Sequence, residues 1–345
     1  MSEQMVLVMR GNLVESRHYG DIAIADANGR LLWSLGDPHR ITFARSSAKP
    51  LQALPLVESG AADHFGMSDK EIALCCASHN GEEKHVQMVF QFLQRIGVAP
   101  DKLRCGVHAP YYAKAHEALL TQGEQPSAMH NNCSGKHAGM LALAKYLNAD
   151  LDTYLQLDNP VQQRILEAVS DVCEVSPEDI VIGTDGCGVP VHGLPLSKFA
   201  MAFARFVRPQ MFSSERAAAM ARIAHAMMEY PDMVAGTERF CTDLMSAAPL
   251  EILGKAGAEG VYCAAVVSAG LGICVKTDDG NARAAAPATV EALLQAGMIS
   301  GSIANALELS HKPILKNHQG TVVGSIQPAF TLVDRSAGAS HGEVE

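Results

Sequence analysis

Three short segments of this chain carry residue types that can do chemistry together. Ser46-Ser47-Ala48-Lys49 is a Ser-x-x-Lys segment, Ser78-His79-Asn80 sets a second serine in polar company, and Lys255-Ala256-Gly257 places a lysine just ahead of an apolar run. If a helix begins at Ser46, residues three apart share a face, and the Lys49 amine reaches the Ser46 hydroxyl. A serine hydroxyl is a weak nucleophile until a base takes its proton, and a desolvated neutral lysine can be that base. The apolar Pro50, Leu51, Ala53 and Leu54 that follow supply the desolvation. Ser78 can then relay protons while Asn80 offers an amide to a substrate. Each segment also has a reading without chemistry: a helix cap with a solvated lysine for the first, a turn of Ser, Asn and Gly for the second, and an ordinary surface lysine before a strand for the third.

A second constellation is built on sulfur. Cys133 and Cys187 lie in glycine-containing loops beside short polar runs, which suits exposed chemistry better than core packing. Ligand chemistry alone proposes zinc held by Cys133, by His137 one helical turn later, and by Cys187, since thiolate and imidazole are its usual donors. Cys75 and Cys76 sit in an apolar run and read as core.

The elements that must position these groups follow from pattern. Apolar or alternating stretches at 5–9, 18–25 and 30–35 predict strands, the last two joined at Asn28-Gly29, a strong hairpin signal. A helix is expected over 46–59, with Pro50 in its first turn and Pro55 kinking or shortening it. Ser68-Asp69-Lys70-Glu71 is a capping box leading to 72–77, and further helices are expected at 82–95, 138–147, 161–172, 196–206, 214–228, 287–296 and 303–309. Residues 180–183 read as a short buried strand, and 261–267 with 272–276 as paired central strands. With no strict βαβ alternation, the fold class is α/β of the α+β type: a mixed, largely antiparallel sheet flanked by helices. One catalytic domain over 1–335 and a disordered polar tail over 336–345 are expected.

Composition narrows the function. The chain has 345 residues, 48% of them hydrophobic, and a net charge of −10. It can bury a large core, and it offers no basic field for a nucleic acid. The apolar run at 5–9 follows Glu3 and is short for a signal peptide, and nothing approaches a membrane span. A cytoplasmic protein is expected, and its nine cysteines then read as thiols or metal ligands.

Longer motifs sharpen the reading. Arg45-Ser46-Ser47-Ala48-Lys49-Pro50, Ser78-His79-Asn80-Gly81-Glu82, Asn131-Asn132-Cys133-Ser134-Gly135-Lys136-His137-Ala138-Gly139-Met140, Gly183-Thr184-Asp185-Gly186-Cys187-Gly188-Val189-Pro190, Val234-Ala235-Gly236-Thr237 and Lys255-Ala256-Gly257-Ala258-Glu259-Gly260 resemble the rhizobial-type L-asparaginases, the asparaginase II family. The resemblance spans nearly the whole chain. It implies hydrolysis of L-asparagine to L-aspartate and ammonia, by a homodimer, on a fold similar to serine β-lactamases, penicillin-binding proteins and glutaminases. It further implies two Ser-Lys tandems, Ser46 with Lys49 and Ser78 with Lys255, beside a zinc site of Cys133, Lys136 and Cys187. Here the resemblance names Lys136 where ligand chemistry names His137, because a lysine ligand must first lose a proton of pKa about 10.4. A zwitterionic substrate needs one positive and one negative partner, a role suited to Arg45 and Asp185, with Asn80 beside them. Ala256 stands where serine β-lactamases usually carry threonine, and the first two motifs are closely spaced, which sets this chain apart from an ordinary β-lactamase. A glutaminase, a β-lactam hydrolase on the same scaffold, and a non-enzymatic metal or thiol sensor are the alternatives.

Overall fold

In the computed structural model, which describes residues 1–336, alternating and apolar segments become twelve strands. In chain order these are β1 (Glu3–Arg10), β2 (Leu13–Asp26), β3 (Leu31–Leu35), β4 (Ile41–Phe43), β5 (Val181–Thr184), β6 (Pro190–Pro195), β7 (Ile252–Ala256), β8 (Val261–Val266), β9 (Leu271–Thr277), β10 (Ile314–Lys316), β11 (Val322–Pro328) and β12 (Val333–Asp334). Two compact units form. The first takes Met1–Ser47, Leu194–Arg208 and Ala247 onward; the second takes Ala48–Gly193 and Pro209–Ser246. Of the tail expected over 336–345, residues 337–345 lie outside the described residues.

The first unit is a nine-stranded sheet in the order β10-β11-β1-β2-β9-β8-β7, with β3 also pairing β2 and β12 pairing β3. Its ladders are all antiparallel. Strand β2 holds it together because its two halves serve different partners. Its first half pairs with β1 and alternates between exposed and covered side chains, whereas Ile22, Ala23, Ile24 and Ala25, set between β9 and β3, are all fully buried. Successive strand side chains point to opposite faces, so both faces are covered here. Helices Leu196–Val207 and Ala282–Gln295 pack on this sheet. Burying Ile22 and Ile24 stabilises by about 1.5–3 kcal/mol each. The expected central hairpin of β8 and β9 forms, with Cys263 opposite Cys274.

The second unit is mainly helical. Its centre is helix Ser134–Tyr146, buried along its length from Ser134 to Ala144 and packed against helices Lys49–Glu58, Asp69–Cys75, Glu83–Arg95 and Pro160–Cys173. A helix covered on every side has no solvent face to keep, and this one buries Lys136 and His137 along with its apolar residues. Close approach to Asp69–Cys75 depends on Gly135, where any Cβ would collide with the Leu74 carbonyl oxygen. Ser68 and Glu71 form the expected capping box. Pro55 lies inside Lys49–Glu58 without ending it, and Pro50 occupies the first turn. Three expectations shift. The helix expected from Ser46 begins at Lys49, with a tighter 3-10 turn over Arg45–Ala48 before it. The strand expected to be buried, β5, carries Val181 and Ile182 exposed, because it pairs with β6 as a hairpin arm and not inside the large sheet. Cys133 and Cys187 are buried where the loops suggested exposure, since Cys133 caps the central helix.

Candidate active site

Lys49 is the meeting point of the candidate residues of the second unit. It opens its helix fully buried, and its Nζ lies within hydrogen-bonding distance of the Ala77 carbonyl, of Ser78 Oγ at 3.1 Å, of Cys133 Sγ at 3.1 Å and of the Asn132 carbonyl at 3.5 Å. One amine therefore joins the serine constellation to the sulfur constellation, which the sequence presents as separate. Ser46 precedes Lys49 by three residues, half-buried in the 3-10 turn. Arg45 beside it adopts φ 52°, a left-handed conformation that is uncommon for a residue bearing a Cβ. In the first unit Ser47 Oγ donates to the Lys255 carbonyl at 2.9 Å, and the fully buried Lys255 donates from Nζ to the Ala256 carbonyl at 2.8 Å.

The Ser78-His79-Asn80 segment follows helix Asp69–Cys75 and is pinned from several directions. Ser78 N–H donates to the Val234 carbonyl at 2.9 Å, and Tyr112 N–H donates to the Asn80 carbonyl at 3.0 Å. Asn80 Nδ2 donates to the Thr237 carbonyl at 3.0 Å, while its Oδ1 is buried without a hydrogen-bond partner. The amide lies flat on Gly236, whose φ of 106° and missing Cβ are both required, because a side chain there would fall inside the Asn80 amide. Glu82 fixes the same loop by accepting from Thr237 N–H at 2.8 Å and Thr237 Oγ1 at 2.9 Å. Burial pushes the Glu82 carboxyl up, but the Thr237 bonds outweigh it and hold it below the ordinary glutamate value. His79 Nδ1 accepts from Gly81 N–H at 3.2 Å, so its Nε2–H donates to Ser134 Oγ at 2.9 Å. The ring stacks on His85 at 4.9 Å. Burial, with His85 and Lys49 nearby, pushes His79 well below the usual histidine range, and it stays neutral.

The sulfur cluster gathers at the start of the central helix. Cys133 is its N-cap, positioned by Asn131 Oδ1, which accepts from Cys133 N–H at 2.8 Å. Cys187 arrives on the β5–β6 turn, closed by Asp185 N–H donating to the Val189 carbonyl at 2.9 Å. Lys136 Nζ donates to Cys187 Sγ at 3.0 Å, and Asp185 Oδ2 lies 4.0 Å from that sulfur. A hydrogen bond from Cys187, aided by Lys49 and Lys136, holds Cys133 well below the ordinary thiol value despite its burial. The same bond, together with burial, pushes Cys187 up, so the two thiols titrate as a pair that favours a single thiolate. Burial pushes the Lys136 amine down, but Cys133, Cys187 and Asp185 more than offset it, leaving it raised. His137 engages elsewhere: its Nδ1 shares a 2.7 Å hydrogen bond with Tyr154 Oη, and its Nε2 is buried without a partner. Among the described residues no cluster of three His, Cys, Asp or Glu side chains suits a metal, and Lys136 Nζ lies beside the Cys187 sulfur.

These geometries coincide with the motifs that run from Arg45 to Gly260. Residues 6–328 match the family L-asparaginase II. The chain belongs to the L-asparaginase II family. Membership makes it an amidohydrolase family protein with a small-molecule substrate, on a mixed α/β fold with an antiparallel sheet. No match was found among curated proteins. Among solved structures the chain is similar to a β-lactamase from Mycobacterium bovis, at 12% identity and a TM-score of 0.43, over 85% of this chain and 94% of that one. No helix among the described residues is long and apolar enough to cross a membrane. Sequence reasoning missed three residues that hold the family motifs in place: Thr237 as the partner of Glu82, Tyr112 on the Asn80 carbonyl, and Tyr154 on His137. Only Thr237 stood within a quoted motif.

Proposed function

We propose that this chain hydrolyses L-asparagine to L-aspartate and ammonia through an acyl-enzyme formed on serine. The observation that carries the reading is the buried Lys49 amine, hydrogen-bonded to Ser78 Oγ and following Ser46 by three residues. Ser46 Oγ attacks the side-chain amide carbon while its proton passes to Lys49. As the tetrahedral intermediate collapses the C–N bond breaks, and the proton taken up by Lys49 passes through Ser78, assisted by Lys255, to the departing ammonia, leaving Lys49 neutral again. Water then attacks the ester, releasing aspartate and restoring the Ser46 hydroxyl. Ser46 is half-buried and Ser78 only 6% exposed, which supports Ser46 as the serine that meets an acyl carbon and Ser78 as the relay. Arg45 takes the α-carboxylate, Asp185 the α-ammonium and Asn80 a further polar contact, its buried Oδ1 being an acceptor in need of a donor.

Zinc fits the donor set of Cys133, Cys187 and Lys136, because two sulfurs and one nitrogen suit its borderline softness and leave a fourth position open. The raised Lys136 would have to give up a proton to bind. When bound, zinc supplies positive charge that orients the substrate; the Ser-Lys pair already provides the nucleophile.

The test is Ser46→Ala, which should stay folded and lose at least about a thousandfold in ammonia release from L-asparagine. Acid-quenched wild-type protein should carry an aspartyl adduct on the peptide containing Ser46. An adduct on Ser78 would move the nucleophile, and ammonia from L-glutamine or hydrolysis of a β-lactam without any from L-asparagine would reassign the substrate.

A further inference from the structure

Gln52 lies one turn beyond Lys49 on helix Lys49–Glu58, only 5% exposed. Its Oε1 is buried with no hydrogen-bond partner. Left unpaired, such an acceptor costs about 1–3 kcal/mol, so an orphan amide oxygen in a well-packed helical unit calls for a partner. Beside it is a void of about 10 Å³ lined by Gln52, Cys75, Lys136 and apolar neighbours such as Leu56 and Met140. That is roughly the space that one water molecule requires.

We propose that Gln52 is a positioning residue for Lys136, acting through one internal water in this void. Lys136 has donors to spare: Cys187 Sγ is the hydrogen-bond acceptor found for its amine among the described residues, and an amine carries at least two N–H groups. The water accepts from Lys136, donates to Gln52 Oε1, and has the Cys75 sulfur as a weak third partner. This meets the two to four polar contacts that an internal water needs. The inference rests on the zinc reading given above. A lysine that binds a metal through its lone pair keeps two N–H groups, and an acceptor behind it fixes the direction of that lone pair. Outer hydrogen-bond partners orient metal ligands in this way, and their loss costs about ten- to a hundredfold in metal affinity.

Gln52→Met keeps the length and volume of the side chain and removes the acceptor; Gln52→Glu keeps the acceptor. Zinc affinity of the purified full-length proteins is measured by competition with a chromophoric chelator, and thermal midpoints are recorded alongside. We expect Gln52→Met to bind zinc at least tenfold more weakly at an unchanged thermal midpoint, with Gln52→Glu restoring the affinity. Wild-type and Gln52→Met proteins binding zinc equally would overturn the Gln52 assignment alone. Equal weakening in both variants would also overturn it, since packing and not the acceptor would then be at work. Wild-type protein that takes up no zinc would overturn the metal reading and this inference with it. Should Gln52→Met not fold, Gln52→Leu replaces it under the same criteria.

Discussion

His192 in β6 is buried with both ring nitrogens unpartnered, and burial, with Lys136 nearby, lowers its pKa from 6.5 to about 4. Lowering the pH therefore stresses the folded state through this ring. The unfolded chain takes up a proton near pH 6.5 and the folded chain only near 4. The stability contributed by keeping this ring neutral is thus present above pH 6.5 and lost progressively as pH falls from 6.5 toward 4. Linkage between those two values gives a loss of about 2 kcal/mol between pH 7 and pH 5. His192→Leu puts an apolar side chain of similar size in its place and removes the titration. Urea unfolding of both proteins at pH 7 and pH 5, with a chelator present, yields a double difference in which other buried histidines, such as His79, cancel. Wild type should lose about 2 kcal/mol more than His192→Leu over this interval. An identical pH dependence in the two proteins would refute the reasoning, because it would mean that the ring is already charged or hydrated in the native state.

Other perturbations bear on the site. Lys49→Met should lower turnover by a factor of about 10³ or more, as expected for the proposed base, and should slow alkylation of Cys133, measured by mass spectrometry on the folded protein, by removing the amine that lies 3.1 Å from its sulfur. Gly236→Ala forces a Cβ into the Asn80 amide at positive φ and should cost roughly 1–3 kcal/mol in chemical denaturation, with a rise in KM for L-asparagine. Thr237→Val removes one of two bonds to Glu82 and should cost about 1 kcal/mol in the same assay. Removing zinc from loaded protein should raise KM far more than it lowers kcat, which steady-state kinetics before and after chelation will show.

Much of the architecture was legible because it is written in local pattern. The Asn28-Gly29 turn, the Ser68 capping box and the β8–β9 hairpin each depend on residues close in sequence. The partners of Lys49 do not. Ser78 and Cys133 lie 29 and 84 residues away, and only packing brings them to one amine. The separate surroundings of Lys136 and His137 were hidden for a different reason. Adjacent residues on a helix point about 100° apart, and a helix buried on every side has no apolar stripe to reveal its rotation. The burial of Cys133 and the exposure of β5 were misjudged together, since short glycine-rich loops carry no signal for what packs over them. The small strands β10, β11 and β12 and helix Ala113–Thr121 are elements the pattern did not suggest at all.

Strand β2 is synthesised early, yet Gly20 through Asp26 are completed only by Thr277 through Leu271 of β9. At roughly 5–20 residues per second, a ribosome needs on the order of ten to fifty seconds to make the intervening chain. During that interval Ile22, Ala23, Ile24 and Ala25 form an apolar ribbon with one unsatisfied edge, the arrangement that invites pairing with another nascent chain. Ladders joining such distant residues also slow folding after release, because loop closure precedes any gain from pairing. Yield on heterologous expression should therefore depend on translation speed and on holdase chaperones acting on the first thirty residues, more than on the stability of the finished sheet.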